Sequence, residues 1–360
     1  MNHAQMSAFW QGRRVLLTGH TGFKGAWMSV WLRALGAHTT GLALAPATTP
    51  NLWSLVCGRA HSVIGDITDA ALVRNVVEEV KPQVVIHMAA QALVRDSYRD
   101  PLRTYATNVL GTANLLQACR SVRDLQCVLV VTSDKVYESD GSGRAFAEGD
   151  RLGGSDPYSG SKACAELVTV SFRNSFYGAD APLATARAGN VIGGGDWSAE
   201  RLIPDCVRAL AAGTAVSLRY PDAVRPWQHV LEPLSGYLAL VQALVETPQS
   251  APRAINFGPA AAESCTVREV VEVFSTRFGG KPGWVRDKQD HPPETQALML
   301  SSVLAQRTLG WRPQLSLEAC LSWSADWYRA HLDGEDMLAL CQEQIAQYQS
   351  LVLANRNRPT

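Results

Sequence analysis

The sequence has no excess of either charge: 33 Lys and Arg face 33 Asp and Glu. A surface that binds nucleic acid shows as a basic excess or a basic block. Neither is present, so that class is set aside. The eight cysteines (Cys57, Cys119, Cys127, Cys164, Cys206, Cys265, Cys320 and Cys341) form no CxxC pair, and the eight histidines are scattered. A zinc site needs clustered ligands, so no metal is expected. The cysteines read instead as reduced core thiols. No apolar run approaches the roughly 20 residues of a membrane span. The opening MNHAQMSAFWQGRR has no apolar core of a secretory signal. Together these absences lead to the expectation of a cytoplasmic protein. Hydrophobic residues make up 46% and charged residues 18%, which excludes disorder as the main state.

At about 150 residues per domain, 360 residues allow two domains. Val15, Leu16 and Leu17 form a short apolar run before a glycine-rich turn. Ala26, Val30, Leu32 and Leu35 then carry a helical stripe, and a second apolar run covers Thr39 to Ala45. Strand, helix and strand in about 30 residues is the unit of a parallel sheet. The alternation continues through a strand at His61–Gly65, a helix at Ala70–Val80 and a strand at Val84–Met88. A helix at Tyr105–Arg120, a strand at Cys127–Val131, a helix from Pro157 to about Tyr177 and a strand at Leu183–Ala188 follow. After Asn190 it loosens: a helix at Pro204–Ala212, a strand at Val216–Leu218, a strand at Asn256–Gly258, a helix at Val267–Phe278 and a helical end over Ser316–Leu353. The expected fold class is α/β, a Rossmann-type doubly wound parallel sheet over residues 1–189. A smaller α/β substrate lobe is expected over 190–360, parts of which return to the sheet.

Gly19, Gly22 and Gly25 stand at the first strand-to-helix junction. There a glycine allows a tight turn, a second lets a pyrophosphate approach the backbone, and a third lets helix and strand pack closely. A dinucleotide is therefore expected against Gly19, His20, Gly22, Phe23, Lys24 and Gly25. The second strand ends Gly41-Leu42-Ala43-Leu44-Ala45-Pro46, without the acid that binds a ribose 2′-hydroxyl. NAD and NADP are not distinguished at that point. Asp66 ends the third strand and either bonds the adenine or caps the next helix. Tyr158 and Lys162, four apart at the start of a helix, share one face. A cation beside a phenol stabilises the phenolate, so a lowered phenol pKa is expected.

TGHTGFKG, HMAAQ, NVLGT, VTSDKVY and YSGSK occur in this order, followed by ARAGNVIGGGDW, RLIPD and RPWQHV. This set resembles the extended short-chain dehydrogenase/reductase family over about residues 8 to 330. Within it, the set is similar to the nucleotide-sugar 4,6-dehydratases that act on CDP-glucose. The resemblance implies NAD as cofactor, with Ile67, Ala89, Ala90, Gln91 and Asn108 added to its contacts. It implies conversion of CDP-D-glucose to CDP-4-dehydro-6-deoxy-D-glucose, a route to deoxysugars of cell-surface polysaccharide such as O-antigen. Tyr158, with Lys162, would take the 4-hydroxyl proton, and Thr132 would bond the same hydroxyl. Asp134 would be the acid at the departing 6-hydroxyl. Relatives for thymidine and guanosine sugars carry Glu at the next position, where this chain has Lys135. Lys135 is either a neutral base at C5, the favoured reading, or a stabilising cation. An epimerase, the alternative, does not need Asp134, and a non-catalytic scaffold does not need the set.

For the sugar nucleotide, the resemblance implies Arg225 on the diphosphate and Asn190 on a phosphate or ribose. Arg201 offers a second contact, and Arg95 with Asp96 faces the sugar. His229 either touches the nucleotide or is packed. His20 and Lys24 would crowd the glycine loop and weaken NAD binding. Helices from Tyr105 and Tyr158 would pair across a two-fold axis into a homodimer.

Overall fold

Apolar runs with no polar alternation suit strands covered on both faces, and the computed structural model shows a sheet of seven parallel strands whose central members are buried along their length, while the last strand at one edge is largely exposed. It describes residues 3–57, 61–139, 141–178, 182–259, 264–280, 283–289 and 299–356. The strands are β1 (Arg14–Thr18), β2 (His38–Ala43), β3 (Ser62–Ile64), β4 (Val84–His87), β5 (Cys127–Val131), β6 (Leu183–Ala188), β7 (Asn190–Ile192), β8 (Val216–Leu218), β9 (Val224–His229), β10 (Ala254–Phe257), β11 (Ser264–Thr266) and β12 (Trp284–Arg286). The main sheet has the order β10-β6-β5-β4-β1-β2-β3, and every neighbouring pair in it is parallel.

Period-two alternation divides the interior in two. Leu16, Val85, Val128 and Val130 point to one face and meet Val73 and Val77 of the helix Ala70–Val80 and Leu115 and Leu116 of the helix Gly111–Cys119. Leu17, Ile86 and Leu129 point to the other face, into a larger cluster. That cluster holds Trp27 and Trp31 of the helix Phe23–Ala34 and residues from the end of the chain. Trp31 meets Tyr348 of the helix Met337–Arg356 edge-on, with centroids 5.9 Å apart.

The second half of the chain contributes to this sheet. β10 adds to its edge beside β6, with Ala254 opposite Thr185 and Phe257 opposite Ala188. The helix Leu231–Glu246 packs on β5. The remaining strands form two small sheets: β7 and β11 flank β9, and β8 pairs with β12. The expected helix Tyr105–Arg120 is Pro101–Tyr105 and Gly111–Cys119 joined by a π-helical turn, Ala106–Leu110. The helix Pro157–Phe172 likewise ends in a π turn, Arg173–Tyr177.

Candidate active site

The strand order reverses between β1, whose loop leads to β2 on one side, and β4 on the other. Such a switch point opens a crevice beyond the carboxyl ends of the strands. A cleft of about 590 Å³ lies there, running from the glycine loop to Tyr158 and on to Asn190, Arg201 and Arg225.

At the cofactor end the backbone, not the side chains, makes the cradle. Gly19 has φ +75°, and a Cβ there would lie 2.6 Å from the Ala89 nitrogen. A Cβ on Gly25 would lie 2.1 Å from the Gly19 oxygen. Only glycine permits this approach of helix to strand. Gly22 begins the helix Phe23–Ala34, and no side chain caps it. Its first-turn N–H groups are therefore available to an anion. Gly19, Gly22, Phe23, Lys24, Gly25, Asp66, Ile67, Ala89 and Ala90 all line the cleft. These residues fit a bound dinucleotide.

Three expected cofactor contacts stand elsewhere. His20 is fully buried and turned beneath β2, with Nε2 2.6 Å from Ser62 Oγ and its ring edge-on to Trp53. Burial pushes its pKa down to about 4. Its ring adds no bulk to the cleft, so crowding of the loop falls to Lys24 alone. Gln91 and Asn108 lie behind the cleft wall: the Gln91 N–H donates to Asn108 Oδ1 (2.9 Å), and Asn108 Nδ2 donates to the Gln91 oxygen and to Ser161 Oγ. They hold the Ala89–Ala90 turn in place. Asp66 lines the cleft and accepts from the Thr68 N–H at 2.8 Å, but it does not cap the next helix: Asp69 does, accepting from the Ala71 and Leu72 N–H groups. Lys24 donates to the Tyr237 hydroxyl at 2.9 Å. Burial, then the nearby Lys162 and Arg201 charges, lower its pKa to about 7.

Thr132, Asp134, Lys135, Tyr158 and Lys162 come together in the middle of the cleft. Thr132 follows β5, and Asp134 opens a short 3₁₀ turn, Asp134–Val136. Tyr158 and Lys162 stand on the first turns of the helix Pro157–Phe172, where Asp156 caps the Ser159 N–H and Pro157 is the first residue. Lys162 Nζ donates to the Val131 oxygen at 3.3 Å, and burial lowers its pKa to about 8. Burial raises the Tyr158 phenol above its ordinary value, opposed by a hydrogen bond with Ser133. This corrects the expected lowering: desolvation of the phenolate is the largest effect, and the groups that oppose it are Ser133 and Arg201. Burial also holds the Asp134 carboxyl above its usual range, against Lys135, the Ser133 hydroxyl and Arg225. Ser133 Oγ donates to Asp134 Oδ1 at 2.9 Å. Burial of this kind favours the protonated carboxyl, the form that can act as an acid.

At the far end Arg95, Asn190, Arg201 and Arg225 line the cleft, as do Arg219, Tyr220 and Trp227, which sequence reasoning missed. Arg95 pairs with Glu200 at 3.3 Å. Asp96 does not face the cleft; it pairs with Arg99 at 2.7 Å. His229 is also a correction. It is fully buried, edge-on to Trp27 and Trp323, and burial lowers its pKa to about 3. It is a packing residue: it shares its strand face with Arg225 and Trp227, which line the cleft, but stands at the end of β9 with its ring enclosed by Trp27 and Trp323. A further pair went unread: Glu166 and Arg187, buried behind Thr132 and 2.8 Å apart. The signal was there, since Glu166 follows Lys162 by one helical turn.

Residues 16–322 match the family model described as GDP-mannose 4,6 dehydratase. A CDP-glucose 4,6-dehydratase of Salmonella typhimurium is 44% identical over 95% of this chain and 98% of its own length. A dTDP-glucose 4,6-dehydratase of Streptomyces venezuelae, solved with NAD bound, is similar with a TM-score of 0.75 at 27% identity, covering 90% of this chain and 99% of that one. An epimerase of Methanothermobacter thermautotrophicus has the same fold, with a TM-score of 0.81 at 23% identity over 91% of this chain and 96% of that one.

Proposed function

The chain belongs to the nucleotide-sugar 4,6-dehydratase family whose model it matches, and from that premise we propose that it converts CDP-D-glucose to CDP-4-dehydro-6-deoxy-D-glucose and water. The observation that carries this is the meeting of Thr132, Asp134, Tyr158 and Lys162 in one cleft that leads to the glycine loop. NAD, when bound at that loop, supplies the hydride acceptor at sugar C4 and the donor at C6.

The chain's own groups handle the protons. Tyr158 receives the proton of the 4-hydroxyl, and the charged Lys162 beneath it stabilises the phenolate. Thr132 orients that hydroxyl. Once C4 is a ketone the C5 proton is acidic; Lys135, at the cleft wall, takes it and gives it back to C5 when C6 is reduced. Asp134, whose pKa burial raises, gives a proton to the 6-hydroxyl as it departs as water. Arg225 and Arg201 meet the diphosphate, where a guanidinium fork matches phosphate oxygens. Asn190 and Arg95 hold the ribose and sugar side. An epimerase needs no acid for a leaving hydroxyl, so Asp134 favours the dehydratase over that second reading.

A homodimer is part of the same proposal. The helical runs 101–119 and 157–177 pack side by side and leave Leu102 (82% exposed), Leu110 (60%), Leu167 (58%) and Phe176 (51%) outside. A patch of large apolar side chains on two adjacent helices fits a self-complementary interface. All eight cysteines are free, which suits a reducing cytoplasm. No described helix is long and apolar enough to cross a membrane. The product suits deoxysugars of a surface polysaccharide such as an O-antigen.

The test is to incubate the protein and NAD with CDP-, dTDP-, GDP- and UDP-hexoses and weigh the products. Loss of one water from CDP-glucose, with no net reduced cofactor, is expected. Water lost only from another sugar nucleotide would move the substrate, and a stereochemical change without mass loss would replace the reaction.

A further inference from the structure

Behind the catalytic threonine lies a buried polar chain that runs to the sheet edge. Glu166 is 1% exposed and Arg187, on β6, is 3% exposed. Arg187 grips Glu166 with two bonds, Nε to Oε1 at 2.9 Å and Nη2 to Oε2 at 2.8 Å. The second acceptor site on each oxygen is also filled: Thr132 Oγ1 donates to Oε1 at 2.5 Å and Thr185 Oγ1 to Oε2 at 2.7 Å. Arg187 Nη1 continues to the Tyr137 hydroxyl (2.7 Å), which donates to Asn256 Oδ1 on β10. A carboxylate that accepts four bonds has no freedom to turn.

We propose that Glu166, locked by Arg187, is a positioning residue of the reaction: it fixes the hydroxyl of Thr132 and sustains the charge of Lys162. It touches neither substrate nor cofactor and acts through those two residues. The inference rests on the dehydratase reading for its kinetic readout.

Two further observations support it. The Thr132 proton is directed at Glu166, so the rotamer of Thr132 is set from behind, independently of what occupies the cleft. Glu166 also lies one turn beyond Lys162 on the same helix. The charged or titratable groups facing Lys162 are Lys24 from the helix Phe23–Ala34, His87 from β4, and Tyr158 and Glu166 from its own helix. His87 is neutral in its buried setting, and Lys24 opposes a second cation. Glu166 is the group that favours the Lys162 ammonium, against the larger effect of burial. A structural pair would serve as well elsewhere in the core; this one ties the Tyr158–Lys162 helix to β6 and, through Glu166, to Thr132 at the end of β5.

The experiment is Glu166→Gln, which keeps the volume and removes the charge. With CDP-glucose, kcat is expected to fall roughly 10- to 100-fold, the scale of a misplaced reacting group, with KM within about threefold. The alkaline limb of the kcat profile should move to lower pH by about one unit, because Lys162 loses its proton sooner. If an unpaired Arg187 prevents folding, Glu166→Gln with Arg187→Met removes both charges and should move the limb in the same direction. Titrating the Lys162 side chain by NMR, assigned by difference from Lys162→Met, gives the same shift without turnover. It therefore tests the inference even if CDP-glucose is not the substrate. An unchanged kcat overturns the proposal. So does a lower kcat with an unmoved limb and an unmoved Lys162 titration, since the pair would then only hold the fold together.

Discussion

Replacing Asp134 by Asn isolates the elimination from the rest of the reaction. The two side chains have the same shape. The Ser133 hydroxyl, 2.9 Å from Asp134 Oδ1, can donate to the Asn oxygen unchanged. The other carboxyl oxygen lies on the Gly189 side, 3.1 Å from where a Cβ on that glycine would stand, so an amide meets no side chain there. Geometry and ground-state binding should therefore persist, and KM should stay within about threefold of wild type. What is lost is the transferable proton. A general acid contributes about 10²- to 10⁴-fold to rate, which corresponds to about 3–5 kcal/mol on the barrier. Steady-state water loss from CDP-glucose, followed by mass spectrometry, should fall by that factor. Oxidation at C4 uses Tyr158 and not Asp134, so in a single turnover the reduced cofactor should accumulate, seen by its near-ultraviolet absorbance. Water loss at the wild-type rate would show that the acid is another group. Loss of both oxidation and elimination would show that Asp134 holds the site together and does not serve as the acid.

Gly25→Ala places a methyl 2.1 Å from the Gly19 oxygen. Such overpacking costs about 1–3 kcal/mol, and NAD affinity measured by calorimetry should fall at least tenfold, a result that wild-type affinity would contradict. Leu102→Glu combined with Leu110→Glu puts charge into the apolar helix face, so the dimer dissociation constant in sedimentation should rise roughly 100-fold or more; an unchanged dimer would place the interface elsewhere. His20, His87 and His229 are buried neutral, with pKa values lowered by burial to about 4, 3 and 3. Because the unfolded chain binds their protons first, stability is full above the unfolded value and is lost as pH falls from there towards the folded values. By pH 5 each costs about 2 kcal/mol. The Tm should therefore fall steadily from pH 7 to 5, and a flat profile would mean that these rings are not buried neutral.

Local pattern was enough wherever an element carries its own signal. β5 at Cys127–Val131, β6 at Leu183–Ala188 and the helices Ala70–Val80 and Val267–Phe278 have the bounds that their apolar runs and caps indicate. The helix Leu231–Glu246 is absent from the sequence reading, and Pro233, Ser235 and Gly236 interrupt its helical pattern. Pro233 sits in the first turn, where an N–H is not needed, and Gly236 is required by packing: a Cβ there would lie 2.3 Å from the Phe257 ring. Residue type suggested a cofactor role for His20 and a nucleotide role for His229, yet both rings point into the core. Side-chain direction depends on what packs behind it, and Trp53, Trp27 and Trp323 are distant in sequence. Glu166 and Arg187 were missed for the same reason: their bond joins a helix to a strand 21 residues on.

The place of β10 at the sheet edge has a consequence for how the protein is made. β6 is buried along its whole length, and β10 pairs with its outer edge. Between Ala188 and Ala254 the ribosome must add the intervening residues, 189 to 253, which takes roughly 3–13 s at cellular rates of about 5–20 residues per second. During that interval the nascent sheet has an apolar, unpaired edge, the kind of surface that pairs with other chains.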